Sequence, residues 1–237
     1  MLFLLSQVDK TLANKVAEGL GAKVPTKLDK PMNMSVPADG DPKKFQPKRA
    51  PLGIETSARL SIIENPNFPK DSIKTRKVAF LVADGVDNAA VAEMKQALLT
   101  AGAGAMIVAP RLGMLRGANG EEIKADFSFL TASSVLFDAV YVPGGADSVA
   151  SLKNVPEAAN FLSEAYDHCK TIAASGAGVG LLATSLVGKF SESDEAGEGV
   201  ANAQGLVTTR EGAVKDLADG FIQAIAKHRH WEREPAV

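Results

Sequence analysis

The chain holds one cysteine, Cys169, among its 237 residues. That excludes an intrachain disulfide and a cysteine metal cluster, and it fits a reducing compartment, so the expected location is the cytoplasm. There is no surplus of basic charge. A net charge of −2 leaves nothing to displace counterions from phosphates, and no nucleic-acid partner is expected. No apolar run reaches the ~18 residues that span a bilayer, so no membrane partner is expected either. Met1-Leu-Phe-Leu-Leu5 lacks the basic flank and the long apolar stretch of a signal peptide. It reads better as a helix end cut from something larger. No G-x-x-x-x-G-K-S/T loop occurs, which excludes the ATP chemistry that such loops support.

With 46% hydrophobic and 23% charged residues, the chain can bury a full core, and one domain with appendages is expected. Eight of its twelve prolines lie between residues 21 and 74, where each removes a donor and forbids helix around it. This segment reads as an extended linker. Ahead of it, Val8, Leu12, Val16 and Leu20 recur at helical spacing, with Gly19 or Gly21 as the stop, which predicts one amphipathic helix. Residues 1–74 hold 12 basic and 8 acidic side chains, and residues 75–237 hold 14 and 20. The basic front reads as a solvated linker, the alternative being an arm laid along an acidic globule.

From Thr75 onward, strands and helices alternate. Apolar runs at Lys77–Ala83, Ala105–Ala109, Ala139–Val142, Thr171–Ala174 and Leu206–Thr209 predict strands. Helices are predicted at Ala89–Ala101, Val155–His168, Val179–Ser185 and Ala213 to about His228. Asn119-Gly120 marks a small hairpin. Fully apolar strands between helices imply a parallel sheet covered on both faces, hence an α/β, flavodoxin-like, doubly wound sandwich. The expected divisions are a helix over 1–20, the linker over 21–74, the sandwich over 75–230 and a tail over 231–237.

Ligand sites in such sheets lie outside the carboxyl ends of the strands. Those ends carry Asp84-Gly85, Pro143-Gly144-Gly145, Ser175-Gly176 and Arg210-Glu211. The stretch Lys170-Thr-Ile-Ala-Ala-Ser-Gly-Ala-Gly178 runs from a strand through a Gly-rich turn into a helix, which is the geometry of a nucleophile elbow. At the nucleophile's position stands Gly176. Ser175 lacks the G-x-S-x-G frame and a base, and reads as a hydroxyl serving local backbone groups. Cys169 falls at the opposite end of its strand and reads as an unreactive thiol. Glu192, Asp194, Glu195 and Glu198 lack the spacing of a calcium loop and read as a solvated loop. His228 and His230 flank Arg229 at a helix end and read as termination chemistry through the dipole.

Asp84-Gly-Val86, Asp138-Ala-Val-Tyr-Val-Pro-Gly-Gly145, Ile172-Ala-Ala-Ser-Gly-Ala-Gly178 and Gly205-Leu-Val-Thr-Thr-Arg210 resemble the successive signatures of the PfpI and Parkinson-protein superfamily, relatives of class I glutamine amidotransferases. Active members of that superfamily carry a cysteine at the elbow and a glutamate in the first helix. The matching positions here are Gly176 and Ala90, so the resemblance implies a degenerate elbow pocket formed by Asp84, Gly85, Ala90, Gly144, Gly145, Ser175 and Gly176. No catalytic residue and no metal is implied. Met1–Leu20, Leu60-Ser-Ile-Ile-Glu-Asn-Pro66 and Ile73-Lys-Thr-Arg-Lys-Val-Ala79 resemble the end of the helical domain and the linker of large-subunit catalases. That second resemblance implies a C-terminal domain whose parent reaction is hydrogen peroxide decomposition. The haem would sit in a core outside this chain, and neither Tyr141 nor Tyr166 would be its ligand. The implied partners are the catalase core, its sister subunits and unfolding client proteins held without ATP. The alternative is a residual small-molecule-binding, glyoxalase-like or peptidase-like enzyme.

Overall fold

The computed structural model describes residues 1–26, 59, 60, 65, 69–186 and 199–233. Most of the expected linker and the acidic stretch Glu192–Glu198 lie outside the described residues. The chain divides into two compact units, Met1–Asn65 and Pro66–Val237.

The first unit opens with two helices, α1 (Leu2–Val8) and α2 (Lys10–Gly19), rather than the single helix predicted. Asp9 breaks the run: its backbone is extended (φ −150°), and its carboxylate accepts hydrogen bonds from the Thr11 and Leu12 N–H groups. A short acceptor in that conformation caps a new helix better than it continues an old one. Gly21, at φ 63°, supplies the stop. The apolar stripe is corrected as well, because Val8, Leu12, Val16 and Leu20 are exposed while Ala13 and Ala17 are buried. Alanine lets backbones approach closely, so it occupies the buried face where leucine would not fit.

The second unit is the sandwich. Its strands are β1 (Lys77–Leu81), β2 (Gly104–Ala109), β3 (Gly113–Arg116), β4 (Glu122–Ala125), β5 (Phe127–Ser128), β6 (Ala139–Val142), β7 (Thr171–Ser175), β8 (Ala201–Ala203) and β9 (Leu206–Thr209). Among the described residues the main sheet has seven strands in the order β5-β2-β1-β6-β7-β9-β8. All pairs are parallel except β8 with β9. β3 and β4 form a separate antiparallel hairpin around Gly120, at φ 86°.

Side-chain alternation sorts the strands into two cores. Val78, Phe80 and Tyr141 join Met94, Leu98 and Phe221 on the face covered by α3 (Asn88–Thr100) and α7 (Val214–Ala226). Ala79, Leu81 and Val142 join Leu152, Phe161 and Leu182 on the other face, covered by α4 (Ala146–Lys153), α5 (Pro156–Asp167) and α6 (Val179–Ser185). Burying one such large side chain is worth about 1.5–3 kcal/mol, and both faces of the sheet collect that term. α4 lies where only a Gly-rich turn was predicted, and the other helices fall within about two residues of expectation.

The folded unit also reaches beyond residues 75–230. Ile73 is 2% exposed within the core. After α7, His228 adopts φ 73° and turns the chain back across the sheet. His230 then donates its N–H to the Cys169 carbonyl at 2.8 Å. Arg233 donates to the Lys170 and Gln204 carbonyls, both at 2.7 Å, with its guanidinium 4.5 Å from the Tyr166 ring centroid. Residues 231–233 are thus pinned down rather than trailing as a tail. Among the described residues no helix is long and apolar enough to cross a membrane.

Candidate functional site

β7 ends at Ser175, Gly176–Gly178 make one 3-10 turn, and α6 begins at Val179. Gly176 takes φ 53°, the left-handed region that a side chain enters only with strain. The elbow turn is therefore formed, and its apex carries no side chain. Around it, Gly144 backs onto the Ser175 carbonyl and the Asp87 side chain. Gly145, at φ 112°, packs so tightly on the Gly85 carbonyl that a β-carbon would overlap it. These glycines bring the ends of β1, β6 and β7 together.

Each predicted side chain at the site has a definite partner. The Ser175 hydroxyl shares a 2.7 Å hydrogen bond with the Tyr141 hydroxyl, and both residues are buried. Burial pushes the Tyr141 phenol above its ordinary range, which keeps it neutral beside Ser175. Ala90 is buried in the first turn of α3, where its N–H donates to the Asp87 carboxylate at 3.1 Å. Asp84 does not join the elbow. Its carboxylate accepts from the Arg116 N–H at 2.8 Å and from the Arg111 guanidinium at 3.1 Å, tying the β3–β4 hairpin to the end of β1. The Arg116 amide, with Arg111 beside it, holds the Asp84 carboxyl below the usual range against the opposing effect of burial. Gly85 continues the same tie, since its N–H donates to the Arg116 carbonyl at 2.7 Å.

Two residues here were not among the expected pocket residues, Asp87 and Tyr141. Asp87 caps α3 and puts a carboxylate beside Gly144; an aspartate three residues before Ala90, at the head of a helix, was the available signal. Tyr141 looked like one more apolar strand residue. At the other end of the sheet, His228 requires a correction. Burial and the Arg229 charge push its pKa down to about 4, so near neutral pH it is uncharged and offers no cation to the helix dipole. It ends α7 through its left-handed backbone instead. Cys169 also takes a left-handed conformation, φ 55°, as the turn after α5, and its side chain is buried. Among the described residues no group of three or more His, Cys, Asp or Glu side chains is placed to hold a metal.

A parallel sheet wound on both faces with a strand–turn–helix elbow defines the ThiJ/PfpI class of fold. A ThiJ/PfpI domain protein from Brachyspira murdochii superposes with a TM-score of 0.57 at 20% identity, covering 64% of this chain and 97% of that one. DJ-1beta from Drosophila melanogaster gives 0.55 at 16% identity, covering 67% and 93%. Within that class, residues 74–235 match the C-terminal domain found in long catalases, and the chain belongs to this family. It is 35% identical over 234 residues to catalase HPII of Mycobacterium avium, covering 97% of this chain and 29% of that one. It is 31% identical over 231 residues to catalase-2 of Bacillus subtilis, covering 97% and 28%. The chain thus spans less than a third of the length of these relatives.

Proposed function

We propose that this chain contains a non-catalytic domain of a peroxide-decomposing catalase in the cytoplasm. The domain stabilises other polypeptide: the catalase core and sister subunits to which it belongs, and unfolding clients, without ATP. The observation that carries this reading is the elbow. Gly176 supplies no nucleophile, Ala90 no carboxyl, and the neighbouring Ser175 hydroxyl is committed to Tyr141. A nucleophile without its base loses orders of magnitude in rate, and here both are missing. A fold kept without that chemistry suits a role for its surfaces.

Haem does not fit the tyrosines present. The Tyr141 hydroxyl is buried against Ser175, and the Tyr166 ring lies under the Arg233 guanidinium. On this reading the haem of the parent reaction is held by residues outside this chain.

The test is heat aggregation of an unrelated enzyme, followed by light scattering without ATP, in the presence of residues 1–237 or residues 70–237. Suppression by both forms is expected and would locate the activity on the sandwich. Suppression by the long form alone would assign it to the front, where Val8, Leu12 and Leu20 are exposed. Failure of both forms at several-fold molar excess would leave a role confined to the parent catalase. Methylglyoxal turnover that disappears in Asp87→Ala would instead support the residual enzyme.

A further inference from the structure

A pocket lies at the amino end of β7, the end of the strand away from the elbow. It holds about 250 Å³ and is lined by Val135, Asp167, His168, Lys170, Arg229 and Trp231. Its walls are rich in hydrogen-bond donors. The Lys170 side chain is buried, and its Nζ donates to the Ser134 carbonyl at 2.5 Å, one acceptor for three protons. Arg229 uses Nη1 for its neighbour, donating to His228 Nδ1 and to the His228 carbonyl, both at 2.9 Å. Its Nε and Nη2 meet no acceptor among the described residues.

The lining sets two cations, Lys170 and Arg229, against one carboxylate, Asp167. Burial and the charge of Arg229 together push the Lys170 ammonium down to about 8, opposed by Asp138 and Glu164. Both carboxylates are already engaged. Asp138 binds Arg76 at 3.1 Å and the Lys77 N–H at 2.9 Å, and Glu164 accepts from the Ser134 hydroxyl at 3.1 Å. Two half-satisfied cations that repel one another in a concave site favour an anion between them. The same lining includes two apolar side chains, Val135 at 76% exposure and Trp231 at 41%. Asp167, the one carboxylate of the lining, accepts from the Ser163 hydroxyl at 3.4 Å and opposes a second negative charge on a ligand.

We infer that this pocket binds a monocarboxylate carrying an aromatic or branched apolar group. Its carboxylate accepts from Lys170 and Arg229, and its apolar part lies against Trp231 and Val135. The volume falls below the ~300–1,000 Å³ of pockets that take drug-sized molecules, so the ligand has the size of a phenylalkanoate. The same chemistry comes from a free acid or from the carboxyl terminus of a polypeptide.

Trp231 is the chain's single tryptophan, so its fluorescence reads the pocket directly. The full chain is titrated with 3-phenylpropionate, with a short peptide ending in a free phenylalanine carboxylate, and with inorganic phosphate. A saturable change with either carboxylate and none with phosphate is expected, and the tighter of the two carboxylates names the source. Arg229→Gln should weaken binding by about tenfold or more, while the exposed Lys215→Gln leaves it unchanged. Val135→Asp, at an exposed position, should abolish binding by placing a second carboxylate in the wall. No saturable change with either carboxylate, tighter binding of phosphate, or wild-type binding by Val135→Asp would overturn the proposal.

Discussion

Gly145 must sit at φ 112° against the Gly85 carbonyl. Gly145→Ala should therefore cost about 2–3 kcal/mol from backbone strain and overlap together. For a chain of this size that lowers the melting temperature by roughly 4–12 °C, as differential scanning calorimetry would show. The Tyr141–Ser175 pair behaves differently, because its cost lies in leaving one partner behind. Tyr141→Phe strands a buried hydroxyl and should destabilise by about 1–3 kcal/mol, whereas adding Ser175→Ala should recover part of the loss. A double-mutant cycle in urea measures the coupling. Titration belongs to this scale too. His228 has a folded pKa of about 4, below its ordinary 6.5, so the unfolded chain takes up the proton first. Its contribution is complete above about 6.5 and is lost as the pH falls toward 4. Lys170, lowered from 10.5 to about 8, makes stability rise again above pH 8. Near pH 10 the buried Tyr141 phenol, whose pKa is raised, acts in the opposite sense, because the unfolded chain then loses its proton first. Burial lowers the His230 pKa in the same direction, so urea midpoints taken from pH 4 to 10 should follow this course, and His228→Gln should make the acid limb shallower without removing it, leaving the alkaline side unchanged.

The β3–β4 hairpin is held to the end of β1 by the Asp84 carboxylate. Asp84→Asn keeps the shape and removes the charge, so amide exchange at Arg116 should quicken while that of β6 and β7 stays unchanged. Elements of this kind differ in how plainly residues announce them. The parallel strands were legible because burial on both faces demands unbroken apolar runs such as Ala139–Val142, which few other structures require. The hairpin was legible from Asn119-Gly120. α4 was not: it offers only Val149 and Leu152 as buried apolar anchors behind a Pro-Gly-Gly turn, too little to establish a period. The break at Asp9 was hidden because the stripe from Val8 to Leu20 runs straight through it, yet the faces that bury are alanine. The elbow could be placed from strand-end glycines, whereas Asp87 and the fold-back at His228 depend on hydrogen bonds and a backbone angle that no spacing encodes.

Both cores of the sandwich draw all their buried residues from Ile73 to Ala226. Residues 70–237 should accordingly unfold in one cooperative transition, with a midpoint matching the corresponding transition of the whole chain; calorimetry of the two forms checks this. The sheet also ends abruptly on both sides. Among the described residues its outermost strands are β5, with two residues, and β8, with three and running antiparallel to β9. A border that short offers almost no ladder of free N–H and carbonyl groups for a foreign strand to extend. The domain therefore resists joining its own copies edge to edge. If the proposed holding of unfolding clients is right, it works through side chains rather than by strand addition.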